Sequence, residues 1–117
     1  MKIDIPFETE KQEFKSSLAE LDKGISSLAA MLNKSGYGKV YFGIANDGEV
    51  IGLKDSFGLE TTKKISTRIA ELIKPVVIPR ISFEAYDDKI VITVEIEGYN
   101  KPYSANGEYR IRPFWER

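Results

Sequence analysis

Histidine and cysteine are both absent from the 117 residues. Without cysteine the chain has no disulfide framework, no thiolate nucleophile and no cysteine-based zinc or iron–sulfur site, which is compatible with a reducing compartment. Without histidine, a Ser-His-Asp triad, a Cys-His pair, a His-ligated zinc and a histidine general base are excluded as well. Long hydrophobic runs are missing too. No stretch approaches the ~18 residues of a membrane span, and the start, MKIDIPFETE, is already charged where a signal peptide would be apolar. These absences predict a cytoplasmic protein with no membrane segment. Strong net charge is also lacking, since 17 Lys and Arg stand against 18 Asp and Glu for a formal charge of -1. No whole-protein field draws nucleic acid, so any such binding has to use a local patch.

What is present suits one globular unit. Hydrophobic residues make up 42% and charged residues 30%, a balance that permits a buried core and argues against disorder. A chain of this length builds one core rather than two, so 1–117 reads as a single domain. Residues 1–7, with Pro6, read as a short extended arm, and ETEKQEFKSSLAELDK is ambiguous between helix and exposed strand. Ile25, Leu28, Ala29 and Leu32 then recur at helical spacing. Asn33, Gly36 and Gly38 follow as a helix stop. Lys39 to Ala45 is rich in β-formers, NDGE is a tight turn, and Val50 to Leu53 pairs back. Ile65, Ile69, Leu72 and Ile73 mark a second helix from Glu60 to Lys74, stopped by Pro75. Arg80 to Tyr86 and the alternating Ile90, Ile92, Val94 and Ile96 form a hairpin around Asp87-Asp88. Glu108 to Arg112 is a last strand. The order predicts an α/β fold: a two-layer sandwich with a mixed, mostly antiparallel sheet and two main helices on one face.

Three clusters carry possible chemistry. Glu8, Glu10 and Glu13 lie close together beside Lys15, and carboxylates are what Mg²⁺ or Mn²⁺ takes as ligands. The same residues also read as a solvated acidic surface. Asp47, beyond the end of a buried strand, either bonds its own turn or completes a metal site with Glu8 and Glu13. In KPYSANGEYRIRPFWER, the basic Lys101, Arg110, Arg112 and Arg117 are interleaved with Tyr103, Tyr109, Phe114 and Trp115. That pattern suits phosphate neutralisation and base stacking, or else aromatics that cap the core while the arginines reach outward. Lys64 and Arg68, one helical turn apart, face either phosphate or plain solvent. A P-loop ATPase is excluded, because SGYGKV lacks the required spacing and its glycines follow a helix instead of opening one.

Taken in order, ETEKQEFK, AAMLNKSGYGKVYFGIANDGEVIGL and KPYSANGEYRIR resemble the Schlafen-type AlbA_2 domain, also called divergent AAA-4. The similarity spans essentially the whole chain. It implies a nucleic-acid-binding domain, acting on RNA or DNA as a homodimer, with Lys15, Lys101, Arg110 and Arg112 on phosphates and Tyr103 beside them. The alternative it implies is a divalent-metal-dependent endoribonuclease that cuts tRNA or rRNA. Glu8, Glu13 and Asp47 would then be the ligands of Mg²⁺ or Mn²⁺, with Lys15 as an electrostatic aid; otherwise no cofactor is expected. This chain departs from the family pattern in having Ala45 and Asn46 where an Asp is common, which leaves Asp47 as the nearest carboxylate. A third class of function is a regulatory or oligomerisation module. Phe114 and Trp115 are candidate dimer contacts.

Overall fold

The four apolar positions at helical spacing lie on the buried face of α1, Leu21–Ser35, where Ile25, Leu28, Ala29 and Leu32 are all in the core. A short 3₁₀ turn at Leu18–Glu20 leads into it. Gly36 ends it in the left-handed conformation (φ 75°), with its N–H donating to the Leu32 carbonyl at 2.9 Å. That conformation costs a glycine nothing and any other residue a Cβ clash. The computed structural model describes residues 8–54 and 58–109. The arm at residues 1–7 and the end of the last expected strand lie outside them, as do Arg110, Arg112, Phe114, Trp115 and Arg117.

Four described strands pair in the order β1-β2-β5-β4, where β1 is Gln12–Lys15, β2 Tyr37–Phe42, β4 Arg80–Tyr86 and β5 Lys89–Glu97. The β1–β2 pair is parallel and the others are antiparallel, so the sheet is mixed and mostly antiparallel as expected. The ambiguous acidic stretch is therefore partly a strand, and its middle residues Glu13 and Phe14 are buried rather than exposed. Asp87 takes positive φ (58°) at the β4–β5 turn, which a two-residue hairpin requires.

Register assigns each face. Val40 and Phe42 of β2 pair with Val94 and Ile92 of β5, and all four join the α1 residues in one core cluster. Ile65, Ile69 and Leu72 of α2, Leu59–Leu72, enter the same cluster. Both helices thus serve one face of the sheet. Each such aliphatic side chain contributes about 1.5–3 kcal/mol relative to an exposed one. On the opposite face Phe14, Tyr41 and Val91 pack with Ile44 and Val50. The Phe14 and Tyr41 rings meet edge to face, with centroids 5.5 Å apart.

Several boundaries differ from the sequence expectation. β2 runs Tyr37–Phe42 rather than Lys39 to Ala45, so Gly38 belongs to the strand and not to the helix stop. The second helix ends at Leu72 instead of Lys74, because Ile73–Lys74 forms β3 and pairs with β6, Ser104–Ala105. Pro75 favours this, since it pushes the preceding residue out of the helical region. β6 pairs in turn with β7, Glu108–Tyr109. Val50 to Leu53 folds back through an isolated bridge, Ile44 to Val50, bonds from Ile51 and Gly52 N–H to the Gly43 carbonyl and one from Leu53 N–H to the Ile90 carbonyl, without forming a strand among the described residues. Among the described residues no helix is long and apolar enough to cross a membrane.

Candidate nucleic-acid interface

β1 is an edge strand, so its outward amides need partners other than a neighbouring strand. The Lys11 carbonyl accepts from Lys39 N–H and the Lys15 carbonyl from Gly43 N–H, so the amides of Gln12, Phe14 and Ser16 point the other way. Gln12 N–H donates to the Thr9 carbonyl at 3.4 Å. Phe14 N–H donates to Glu8 Oε2 at 3.0 Å, and Ser16 N–H to Glu20 Oε2 at 3.4 Å. Glu8 thus caps the sheet edge.

Glu13 points to the other side of β1, under α1, and is only 1% exposed. Its Oε2 accepts from the Ser27 hydroxyl at 2.6 Å and faces Lys15 Nζ at 3.2 Å. A carboxylate this deeply buried needs such pairing, and the Lys15 ammonium already neutralises it. Lys15, itself 18% exposed, is therefore an internal counter-ion with little charge to spare for phosphate.

Asp47 is exposed at the tip of the turn after Ile44. Its Oδ1 accepts from Glu49 N–H at 2.9 Å, while Ala45 N–H donates to the Glu49 carbonyl. The turn-forming use of this Asp is the one the structure displays. Among the described residues no three His, Cys, Asp or Glu side chains are grouped so as to hold a metal ion. Glu8, Glu13 and Asp47 each serve different partners, Phe14 N–H, Ser27 with Lys15, and Glu49 N–H, and do not fit a ready Mg²⁺ or Mn²⁺ site.

The third motif is placed very differently from a stacking platform. Tyr103 is 2% exposed, so neither face of its ring is open to a base. Asn33 of α1 donates from Nδ2 to the Tyr103 carbonyl at 2.8 Å, and Oδ1 accepts from Tyr103 N–H at 2.6 Å. The Tyr103 hydroxyl accepts from Asn100 N–H at 3.0 Å and lies against Gly98, where an added Cβ would stand 2.3 Å from it. Tyr103 is a structural lock that fixes the loop from Gly98 to Ser104 onto the end of α1.

That lock presents Lys101, which is exposed. Lys34, Gly36, Gly98, Tyr99 and Lys101 line a cleft of about 240 Å³. Lys34 and Tyr99 carried no signal in the sequence reading. Lys34 looks like an ordinary basic residue ending a helix, and its partners across the cleft are more than sixty positions away. On the helical layer, Arg68 gives Asp22 two bonds, of 2.9 and 2.7 Å, and Glu71 a third. The Arg68 bond holds the Asp22 carboxyl below its usual range. Arg68 is thus committed within the protein, while Lys64 is exposed. Arg110 and Arg112 lie outside the described residues.

A family model described as Schlafen, AlbA_2 matches residues 8–113. No curated protein matches the chain. Among solved structures, the DIP2311 protein from Corynebacterium diphtheriae is similar with a TM-score of 0.69 and 18% identity, covering 89% of this chain and 21% of that one. The chain therefore spans about a fifth of that protein's length. The N-terminal domain of a protein described as related to the ATP-dependent DNA helicase RecG, from Nitrosomonas europaea, is similar with a TM-score of 0.61 and 18% identity. That match covers 98% of this chain and 85% of the other. At such identities the likeness speaks for the fold alone.

Proposed function

The chain belongs to the Schlafen AlbA_2 family, and from that premise we propose that it is a nucleic-acid-binding domain, cytoplasmic and homodimeric. The family match over residues 8–113 carries the reading. On the surface, two exposed lysines, Lys34 and Lys101, line one cleft, and among the described residues its wall includes no Asp or Glu. Phosphate is the complement of that arrangement. Arg110 and Arg112 extend the same basic run in sequence. The exposed apolar side chains Val76 (63%) and Ile78 (90%) are ones that self-association would cover.

The test is binding of labelled tRNA, single-stranded DNA and duplex DNA in EDTA across a salt series. Affinity should fall steeply from about 50 to 200 mM salt, as counter-ion release demands, and show little sequence preference. Charge reversal at Lys101, Arg110 and Arg112 should weaken all three ligands together. Affinity indifferent to both salt and reversal would sink the reading. The second reading is a metal-dependent endoribonuclease that uses Glu8, Glu13 and Asp47, and it requires those side chains to leave their present partners. Cleavage of tRNA in Mn²⁺ that disappears in a Glu8→Ala/Glu13→Ala double variant would favour it.

A further inference from the structure

Tyr99 is 80% exposed, yet its side chain is held at the hydroxyl. Its hydroxyl donates to Glu97 Oε2 at 2.8 Å, a bond that also raises the hydroxyl's pKa. The ring stands beside Gly36, where an added Cβ would come within 3.4 Å of Tyr99 Cε1. Large exposed aromatics usually gain entropy by rotating freely. An aromatic that is both exposed and fixed offers a flat surface at a lower ordering cost on binding.

The cleft beside that ring favours an anion. The Leu32 carbonyl accepts from Gly36 N–H and the Gly36 carbonyl from Gly98 N–H at 3.0 Å, so these main-chain acceptors are already used. Lys34 and Lys101 supply the remaining charge. About 240 Å³ is below the range of about 300–1,000 Å³ that encloses a whole small ligand, but it accommodates a phosphate and part of its sugar. The base would then lie outside the cleft, on the Tyr99 ring.

We propose that this cleft binds one nucleotide of single-stranded nucleic acid, with the base stacked on Tyr99 and the phosphate between Lys34 and Lys101. The inference rests on the nucleic-acid reading above and adds a subsite and a strand preference. A duplex keeps its bases stacked inside the helix and offers Tyr99 only backbone, so single strands bind more tightly.

Anisotropy titrations of the full chain with labelled oligo(dT) and with an abasic oligomer of the same length separate the two parts. Tyr99→Ala should weaken oligo(dT) binding about tenfold, the loss of one stacked base, and leave the abasic oligomer unchanged. Tyr99→Phe, which keeps the ring but loses the Glu97 bond that holds it, should weaken oligo(dT) binding less than Tyr99→Ala does. Lys34→Glu/Lys101→Glu should weaken both ligands. Equal oligo(dT) affinity for wild type and Tyr99→Ala, with both binding, overturns the subsite and leaves nucleic-acid binding intact. Failure of wild type to bind either oligomer at low salt overturns both.

Discussion

Around Asn33 and Tyr103, side chain and main chain from positions 70 residues apart exchange two hydrogen bonds in the interior. Glu8, Glu13 and Asp47, by contrast, are engaged separately: one caps an edge amide, one pairs with Lys15 and Ser27, and one bonds its own turn. Both regions belong to motifs that carry the family resemblance. The first is a closed junction whose parts exist for one another, whereas the second is a scatter of carboxylates with separate employment. Motif residues in this fold thus serve first to build it, and the junction fixes the loop that carries Lys101.

The strongest way to break this contrast is to open the junction. Asn33→Leu removes both bonds and leaves the Tyr103 N–H and carbonyl buried without those partners. An unsatisfied buried polar group costs about 1–3 kcal/mol, so a loss of about 3 kcal/mol and a fall in Tm of about 10 °C or more are expected. Urea unfolding and a thermal melt read both. Next in size is Gly98→Ala, whose Cβ would meet the Tyr103 hydroxyl at 2.3 Å and ring Cζ at 2.8 Å. Displacing a packed ring costs about 2 kcal/mol. A loss below about 0.5 kcal/mol from either variant would mean that the junction tolerates rearrangement and is no more closed than the acidic region.

How far such features can be read from sequence depends on how local they are. The α1 face was legible because the spacing of Ile25, Leu28, Ala29 and Leu32 needs only one turn of context. The end of α2 was not, since Ile73 leaves the helix to pair with Ala105, a partner far along the chain. β1 was ambiguous for the same reason: Gln12, Glu13 and Lys15 have no strand signature until β2 lies parallel to them. The order of motifs still conveyed the sandwich. At the candidate site, Lys101 stood out by its basic and aromatic context. Tyr103 looked like a stacking ring because nothing in KPYSANG reveals that Asn33 will hold its backbone, and Lys34 and Tyr99 become neighbours only once that bond has formed.

A middle-sized effect probes the acidic side of the comparison. Glu13→Gln keeps an acceptor for Ser27 but removes the charge opposite Lys15. Because the Lys15 side chain is partly exposed it can turn towards water, so the loss should be about 1 kcal/mol rather than the 3–5 of a fully buried pair. Added Mn²⁺ should leave the melting curves of wild type and variant where they were. A Mn²⁺-dependent rise in wild type alone would mean that the carboxylates converge on an ion, since ligands stabilise only the state that binds them. The contrast between the two regions would then fail.

The smallest effect is expected at Asp47. Its role in the structure is to accept from Glu49 N–H, and the amide oxygen of an asparagine accepts the same bond. Asp47→Asn should therefore change stability by less than about 0.5 kcal/mol, whereas Asp47→Ala, which loses the bond at an exposed turn, should cost about 0.5–1 kcal/mol. The pair of variants separates geometry from charge. If charge at this tip matters to nucleic acid, removing it brings a negative group no nearer to phosphate, so Asp47→Asn should bind oligo(dT) as tightly as wild type or slightly more so. A loss of binding in Asp47→Asn with the fold intact would require the carboxylate itself, and would move Asp47 from turn former to a participant in the site.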